Sequence, residues 1–317
     1  LVLHGADRAD HHERVADSDL VITTYPLLPR DREHLLARRF SLLVLDEAQA
    51  IKNARSQAAQ VVREIPAGRR LAMTGTPLEN HLGELWAQFD AVEPGLLGSE
   101  RQFTRLYRTP IEKRGDGDRR ERLARRIGPL LLRRRKEDVL TDLPAKTEIV
   151  RMLDLEGDQR SLYEALRLAQ HERVKQAVAT RGLAQSGIVV LDALLKLRQA
   201  CCDPRLVKLD SARKRKTSVK LDALVELVTG LVDEGRRILV FSQFAEMLAL
   251  IEQAFARAGV GHQTLTGQTP GAARAGLVRR FQDGAVPVFL ISLKAGGVGL
   301  NLTAADTVVH YDPWWNP

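Results

Sequence analysis

Two adjacent carboxylates, Asp46 and Glu47, follow directly on the apolar run Leu42-Leu43-Val44-Leu45. A short apolar run that stops at polar residues predicts a strand, and open α/β sheets place their ligands at the carboxyl ends of strands. There, one carboxylate can hold Mg²⁺ through water, while its neighbour orients or deprotonates an attacking water. A bare Asp-Glu pair more often only opens a loop. The Ala48-Gln49 behind it and a second polar segment, Met73-Thr74-Gly75-Thr76-Pro77, favour the chemical reading. Two hydroxyls around a glycine, then a proline, make a tight polar turn. With neighbouring strands, that turn lies beside the carboxylates and can sense the state of a bound phosphate.

These residues need strands to carry them, and the pattern supplies several. Leu20-Val21-Ile22-Thr23-Thr24, residues 42–45 and Arg70-Leu71-Ala72-Met73-Thr74 read as strands. Between the last two, Ala58, Val61, Val62 and Ile65 give residues 56–65 the spacing of a helix. From about 158 to 199 the pattern is helical, with Leu162, Ala165, Leu166 and Ala169 on one face, then Val190, Leu191, Leu194, Leu195 and Leu197. An interruption at 181–187 divides it into two helices. Residues 211–218 are polar and basic and read as an exposed loop or linker. Alternation then resumes: a helix over 221–231, a strand over 237–241, a helix over 245–258 closed by Gly259, and strands over 286–292 and 307–311. Strands alternating with helices predict an α/β fold with largely parallel sheets.

Composition narrows the class. The chain has 317 residues, 44% hydrophobic and 28% charged, which suits about two globular domains and excludes a disordered or collagen-like chain. No apolar run approaches the roughly 20 residues of a membrane span, and the first residues lack the pattern of a signal peptide. Two adjacent cysteines, Cys201 and Cys202, build no disulfide framework and match no zinc spacing, so a reducing cytoplasm is the simplest compartment. They and His11-His12 receive no chemical role. Lys and Arg number 48 against 40 Asp and Glu, a net charge of +8. Residues 101–151 hold sixteen of the basic and eight of the acidic residues, so the remainder is neutral. Such a segment is either a solvated basic face or a seat for a polyanion such as nucleic acid.

The two polar segments, Asp46-Glu47-Ala48-Gln49 and Leu71-Ala72-Met73-Thr74-Gly75-Thr76-Pro77-Leu78-Glu79-Asn80, resemble motifs II and III of the Swi/Snf family, helicase-like ATPases of superfamily two that translocate on duplex DNA. The likeness runs along the chain in order. Asp19-Leu20-Val21-Ile22-Thr23-Thr24-Tyr25 resembles motif Ib. Leu131-Leu132-Arg133-Arg134-Arg135-Lys136 with Leu143-Pro144-Ala145-Lys146 resembles the signature closing the first lobe. Ile238-Leu239-Val240-Phe241-Ser242-Gln243-Phe244 resembles motif IV. The stretch from Ser292 through Lys294-Ala295-Gly296-Gly297-Val298-Gly299-Leu300-Asn301 to Asp312-Pro313-Trp314-Trp315-Asn316-Pro317 resembles motif V and its extension.

The resemblance implies two RecA-like lobes with parallel sheets, over 1–145 and 220–317, with a helical insertion and basic linker over 146–219. It implies ATP with Mg²⁺ as cofactors, Asp46 on the metal through water, and Glu47 and Gln49 in catalysis. Thr74, Gly75 and Thr76 would couple phosphate state to lobe closure. Gly297, Gly299 and Asn301 would face the nucleotide. Thr23, Thr24, Tyr25, Ser242, Gln243, Thr266, Gly267, Ser292 and Lys294 would meet the DNA backbone, where hydroxyls and backbone amides suit a sequence-blind contact. Arg133 and Arg134 would bind phosphate or pair between lobes, and Trp314 and Trp315 would pack rather than stack on bases. The implied partners are double-stranded DNA and a DNA-bound protein, with no membrane, in a bacterial nucleoid or a eukaryotic nucleus. The alternatives are a non-catalytic DNA-binding or interaction module and a strand-separating DExH helicase.

Two family elements are missing from these residues. No Gly-x-x-x-x-Gly-Lys-Ser/Thr loop occurs, nor does the Gln- and Arg-rich motif VI, so the chain resembles the middle of a longer protein. Without that lysine and without arginine fingers, worth about 10³–10⁵ in rate, the isolated chain is expected to show no meaningful ATPase. DNA-stimulated hydrolysis by the purified 317-residue chain, at the rate of a complete ATPase, would contradict this.

Overall fold

The computed structural model describes residues 1–5, 7–76, 78, 80–134, 138, 146–183, 185–208, 218–296 and 299–313. The chain divides into two compact units, Leu1–Ala145 and Lys146–Pro317. Among the described residues, no helix is long and apolar enough to cross a membrane.

The first unit is organised around a parallel pair of strands, β1 (Phe40–Leu45) and β2 (Ala67–Ala72), after a short helix α1 (Arg32–Leu36). Between the strands runs α2 (Gln57–Glu64). Its start is set by Ser56, whose hydroxyl accepts from Ala59 N at 3.3 Å, an N-cap that satisfies one of the four orphan amides. Its buried Ala59, Val61 and Val62 pack with Leu45, Ala48 and Ile51. After β2 come α3 (Leu82–Val92), α4 (Glu100–Phe103), α5 (Thr109–Arg114) and α6 (Gly117–Ile127); Leu85, Trp86, Phe89, Phe103, Tyr107 and Leu123 form their common core.

β2 starts three residues before the sequence predicts, because Ala67-Gly68-Arg69-Arg70 hides a strand under polar side chains. Arg70 has a use there. Its guanidinium donates to the carbonyls of Val62 (3.2 Å), Arg63 (3.1 Å), Ile65 (2.7 Å) and Ala91 (2.8 Å), closing the carboxyl ends of α2 and α3. A cation against the last carbonyls of two helices satisfies acceptors that no amide reaches. Arg70→Ala is therefore expected to cost about 2–4 kcal/mol, read from the denaturation midpoint of the chain. An unchanged midpoint would show that water satisfies those carbonyls equally well.

The predicted strand over 20–24 is corrected. It forms a single parallel bridge, Val2↔Ile22, with Leu3 N donating to Ile22 O at 2.8 Å. Tyr25-Pro26-Leu27 then turns into a 3₁₀ helix, with the proline in its first turn, which ends any extended pairing.

The second unit holds a four-stranded parallel sheet in the order β4–β5–β3–β6, made of β3 (Ile238–Ser242), β4 (His262–Leu265), β5 (Val288–Ser292) and β6 (Thr307–His310). β5 is buried along its whole length, as an apolar run in a sheet covered on both faces must be. Around the sheet lie α9 (Val219–Asp233), α10 (Ala245–Ala258), α11 (Gly271–Gln282) and the four-residue α12 (Leu293–Gly296), preceded in the chain by α7 (Gly157–Arg181) and α8 (Gly187–Cys202). Gly259 ends α10 at φ +73°, the left-handed position that a glycine adopts without strain.

The helical segment is joined to this sheet by buried polar contacts. Gln159 donates to Ala200 O (2.9 Å) and accepts from Val219 N (3.1 Å). Cys202 O accepts from both Ser218 Oγ (2.9 Å) and Tyr311 Oη (2.7 Å). Burial, the largest cause, pushes the Cys202 thiol up to about 12, so it is an inert core group. On α7, Leu162 and Leu166 face the core while Ala165 and Ala169 are exposed, which narrows the predicted stripe. On α8, Leu191, Leu194 and Leu195 are exposed, not core. Residues 211–217 of the predicted linker lie outside the described residues.

Candidate functional site

The carboxylates and the Thr-Gly-Thr turn are brought together by strand pairing. β1 and β2 run parallel in a register that sets Leu45 beside Ala72. The pairing continues beyond both strands: Met73 N donates to Leu45 O (2.8 Å) and Ala48 N to Met73 O (2.9 Å). Residues 46–49 and 73–76 are thus adjacent at one carboxyl edge.

A side-chain relay joins them. Thr74 Oγ1 donates to Gln49 Oε1 at 2.7 Å, and Gln49 Nε2 donates to Glu47 Oε2 at 2.7 Å. The Gln49 amide uses its acceptor towards the threonine and its donors towards the carboxylate, which fixes its orientation. Thr74 Oγ1 also accepts from Thr76 N at 3.1 Å, so the threonine turn is closed on itself. Gly75 leaves open space beside the turn.

Glu47 is held in an unusual backbone state. Its φ of +47° makes it the one positive-φ residue other than glycine among the described residues. Such a conformation costs of order 1–3 kcal/mol and persists where neighbours over-determine it. Here Asp46 Oδ1 accepts from Glu47 N (2.9 Å) and Glu47 O accepts from Ala50 N (3.0 Å), opening the 3₁₀ turn Ala48–Ile51. Both carboxylates are exposed at the strand end. That suits Asp46 as a ligand of Mg²⁺, which keeps several waters and needs only one or two carboxylates beside substrate phosphates. Among the described residues, no group of three or more His, Cys, Asp or Glu gathers to make an all-protein metal cage.

Tyr25 meets the carboxylate loop. Its hydroxyl donates to Asp46 O at 2.7 Å. Burial first, then the charges of Asp46 and Glu47, push the phenol up to about 12, so it stays a donor. The Thr23 hydroxyl is buried without a hydrogen-bond partner among the described residues, whereas Thr24 is exposed.

In the second unit the strand-end residues also gather, mostly inside. Ser242 and Ser292 are paired across β3 and β5 as the last residue of each strand, and both are buried, not facing solvent. Gln243 N donates to Asp312 Oδ2 at 3.1 Å, and burial raises the pKa of Asp312 above the usual carboxylate range. Gln243 Nε2, Ser292 Oγ and Asp312 Oδ1 are buried without a hydrogen-bond partner among the described residues, an orphaned polar cluster at the carboxyl ends of three adjoining strands. Thr266 Oγ1 accepts from Gln268 N at 3.2 Å, and Gly267, Lys294, Gly299 and Asn301 are exposed. Gly299 has φ +50°. Gly297, Trp314 and Trp315 lie outside the described residues. Arg133 and Arg134 are exposed in an irregular segment. Gly296 has a packing reason: a Cβ there would sit 2.7 Å from the Phe241 ring and 3.2 Å from Ile291 Cγ2.

Sequence reasoning missed Tyr25 as a partner of the carboxylate loop and Asp312 as the buried acid of the second sheet. For Asp312 a signal existed, an acid two residues behind β6. For Tyr25 none did, because its partner is a backbone carbonyl 21 residues away.

The SNF2-related domain profile matches residues 1–206, and the helicase conserved C-terminal domain profile matches residues 219–317. A putative ATP-dependent helicase/translocase of Bacillus subtilis, YwqA, is 38% identical over 99% of this chain. The mouse SWI/SNF-related matrix-associated actin-dependent regulator of chromatin, subfamily A member 1, is 33% identical over 94% of it. The chain spans 34% of the first relative's length and 29% of the second's. The Sulfolobus solfataricus SWI2/SNF2 ATPase core, solved in complex with double-stranded DNA, is 33% identical; the alignment covers all of this chain and 66% of that one, with a TM-score of 0.47. With two thirds of its residues inside one profile and the helicase C-terminal domain following in order, the chain belongs to the SNF2-related family.

Proposed function

We propose that this chain is the core of an ATP-dependent translocase that moves along double-stranded DNA and displaces or remodels DNA-bound protein. The observation that carries the reading is the relay Thr74–Gln49–Glu47, which ties the residue suited to activating water to a turn on the neighbouring strand. Asp46 would hold Mg²⁺, which when bound neutralises charge on the ATP phosphates. Glu47, exposed at the strand end and anchored through one oxygen by Gln49, orients the attacking water and takes its proton. A change at the γ-phosphate that moves this water or Glu47 is transmitted through Gln49 to Thr74 and the turn 74–76. The exposed Thr24, Gly267 and Lys294 are the surface groups suited to the DNA backbone, and contacts of that kind are sequence-blind and weaken with salt.

The test is a triplex-displacement assay on the complete protein, with ATP and duplex DNA. A translocase strips the third strand without separating the duplex. Separation of the duplex strands would favour a strand-separating helicase, and absence of both activities a non-catalytic binding module.

A further inference from the structure

In the first unit, the start of the basic segment and Arg55 build a groove of about 650 Å³ whose lining includes none of residues 46–49 or 73–76. Its walls include Arg55, Arg101, Thr104, Arg105, Thr109 and Arg114, and the single acid among its charged lining residues is Glu100. Glu100 lies 3.7 Å from Arg55, which leaves three guanidinium groups in excess.

Two observations set this groove apart from an ordinary solvated face. The arginines of the segment include three that bond within the fold and three that line the groove. Arg108 bonds Glu112 (3.1 Å), Arg119 donates to Leu106 O (2.9 Å) and Arg126 to Leu96 O (2.9 Å), so these three serve the fold. Arg101, Arg105 and Arg114, all exposed, have no ion pair or side-chain hydrogen bond among the described residues, and all three line the groove. Second, the wall is a π-helical turn, Thr104–Arg108, closed by Thr109 N donating to Thr104 O. In an α-helix, residues five apart point roughly 140° away from each other. The extra residue in a π turn brings Thr104 and Thr109 to one side, where both line the groove beside Arg105. π turns are rare and concentrate at functional sites.

We propose that this arginine- and threonine-lined groove is a second nucleic-acid contact of the protein, binding the phosphodiester backbone of duplex DNA at a place separate from the strand-end residues. Guanidinium forks and hydroxyls are the donors that grip phosphate oxygens irrespective of sequence. Among the described residues no aromatic side chain lines the groove, which offers no platform for unstacked bases and suits a duplex over a single strand. The proposal rests on duplex DNA being the partner, as in the translocase reading.

The experiment compares the complete protein with the variant Arg101→Ala/Arg105→Ala/Arg114→Ala, titrating a random-sequence duplex at increasing salt. Loss of three phosphate contacts should make the slope of log K against log salt shallower by about 2–3. A matching Lys variant, which keeps the charges, should retain the parental slope. Thermal melting of both variants should match the parent, since the substituted side chains are exposed. An unchanged slope in the Ala variant would overturn the proposal while leaving the translocase reading intact. So would a Lys variant as impaired as the Ala variant, or an Ala variant that loses poly-glutamate binding but keeps its DNA slope, which would mark an acidic-protein site. Absence of duplex binding by the parent protein would overturn both readings.

Discussion

Glu47→Gln in the complete protein is expected to lower ATP turnover by about 10²–10⁴-fold, the contribution of a positioned general base, and to leave duplex-DNA affinity within error of the parent. Glu47 is exposed at the end of β1, its backbone is fixed at φ +47°, and Oε2 is anchored by Gln49 Nε2 at 2.7 Å. Glutamine has the same shape and keeps the strained backbone, but its amide has almost no proton affinity at neutral pH. Nothing in the fold depends on the charge, since the residue is exposed and its backbone bonds persist. Turnover should therefore fall without a change in melting temperature. Full turnover by the variant would assign the proton transfer to another group.

The second large effect belongs to Gln49. Gln49→Ala removes the link between Thr74 and Glu47 and frees the Glu47 side chain to leave its productive position. A misplacement of about 1 Å costs on the order of 10²-fold, so kcat should fall by roughly that factor with KM little changed. Thr74→Ala removes the bond that holds Gln49 from the other side and should lower kcat less. The double variant is the informative one. If the three residues act in series, Gln49→Ala/Thr74→Ala loses no more than Gln49→Ala alone, the non-additivity expected of one connected network. Independent, multiplying losses would show that Thr74 acts by a route that bypasses Gln49.

Much of the fold was legible because the second unit obeys simple periodicity. The apolar runs Ile238-Leu239-Val240-Phe241 and Val288-Phe289-Leu290-Ile291 are central strands, buried almost throughout, and Gly259 ends its helix where the sequence places it. The first unit was harder. β2 begins with Ala67-Gly68-Arg69-Arg70, and the arginine that marks a strand as polar is the one that caps two helices. Residues 20–24 have the right alphabet but only a one-bridge partner, which no local pattern reveals. β4, with its alternating His262-Gln263-Thr264-Leu265, and α11 were not visible as elements for the same reason, weak contrast between faces.

The site divides in the same way. The juxtaposition of Asp46, Glu47 and Gln49 with Thr74 was legible, since it needed only that β1 and β2 be neighbours. Their connection through the Gln49 amide needed side-chain geometry. Ser242 and Ser292 show the opposite case: a hydroxyl at a strand end reads as a surface donor, and the register buries both as a pair across β3 and β5. The basic segment is a third case. Its charge was evident, but only the side-chain partners separate Arg108, Arg119 and Arg126, which bond within the fold, from Arg101, Arg105 and Arg114, which line a groove.

The central claim is that ATP hydrolysis at the Asp46–Glu47 edge is coupled to duplex DNA. The most direct measurement is steady-state ATP turnover by the complete protein, with and without duplex DNA, at low and high salt. The expected result is strong stimulation by the duplex, declining as salt weakens the phosphate contacts and absent in Glu47→Gln. Turnover that is the same with and without duplex DNA, or that survives Glu47→Gln, would contradict it.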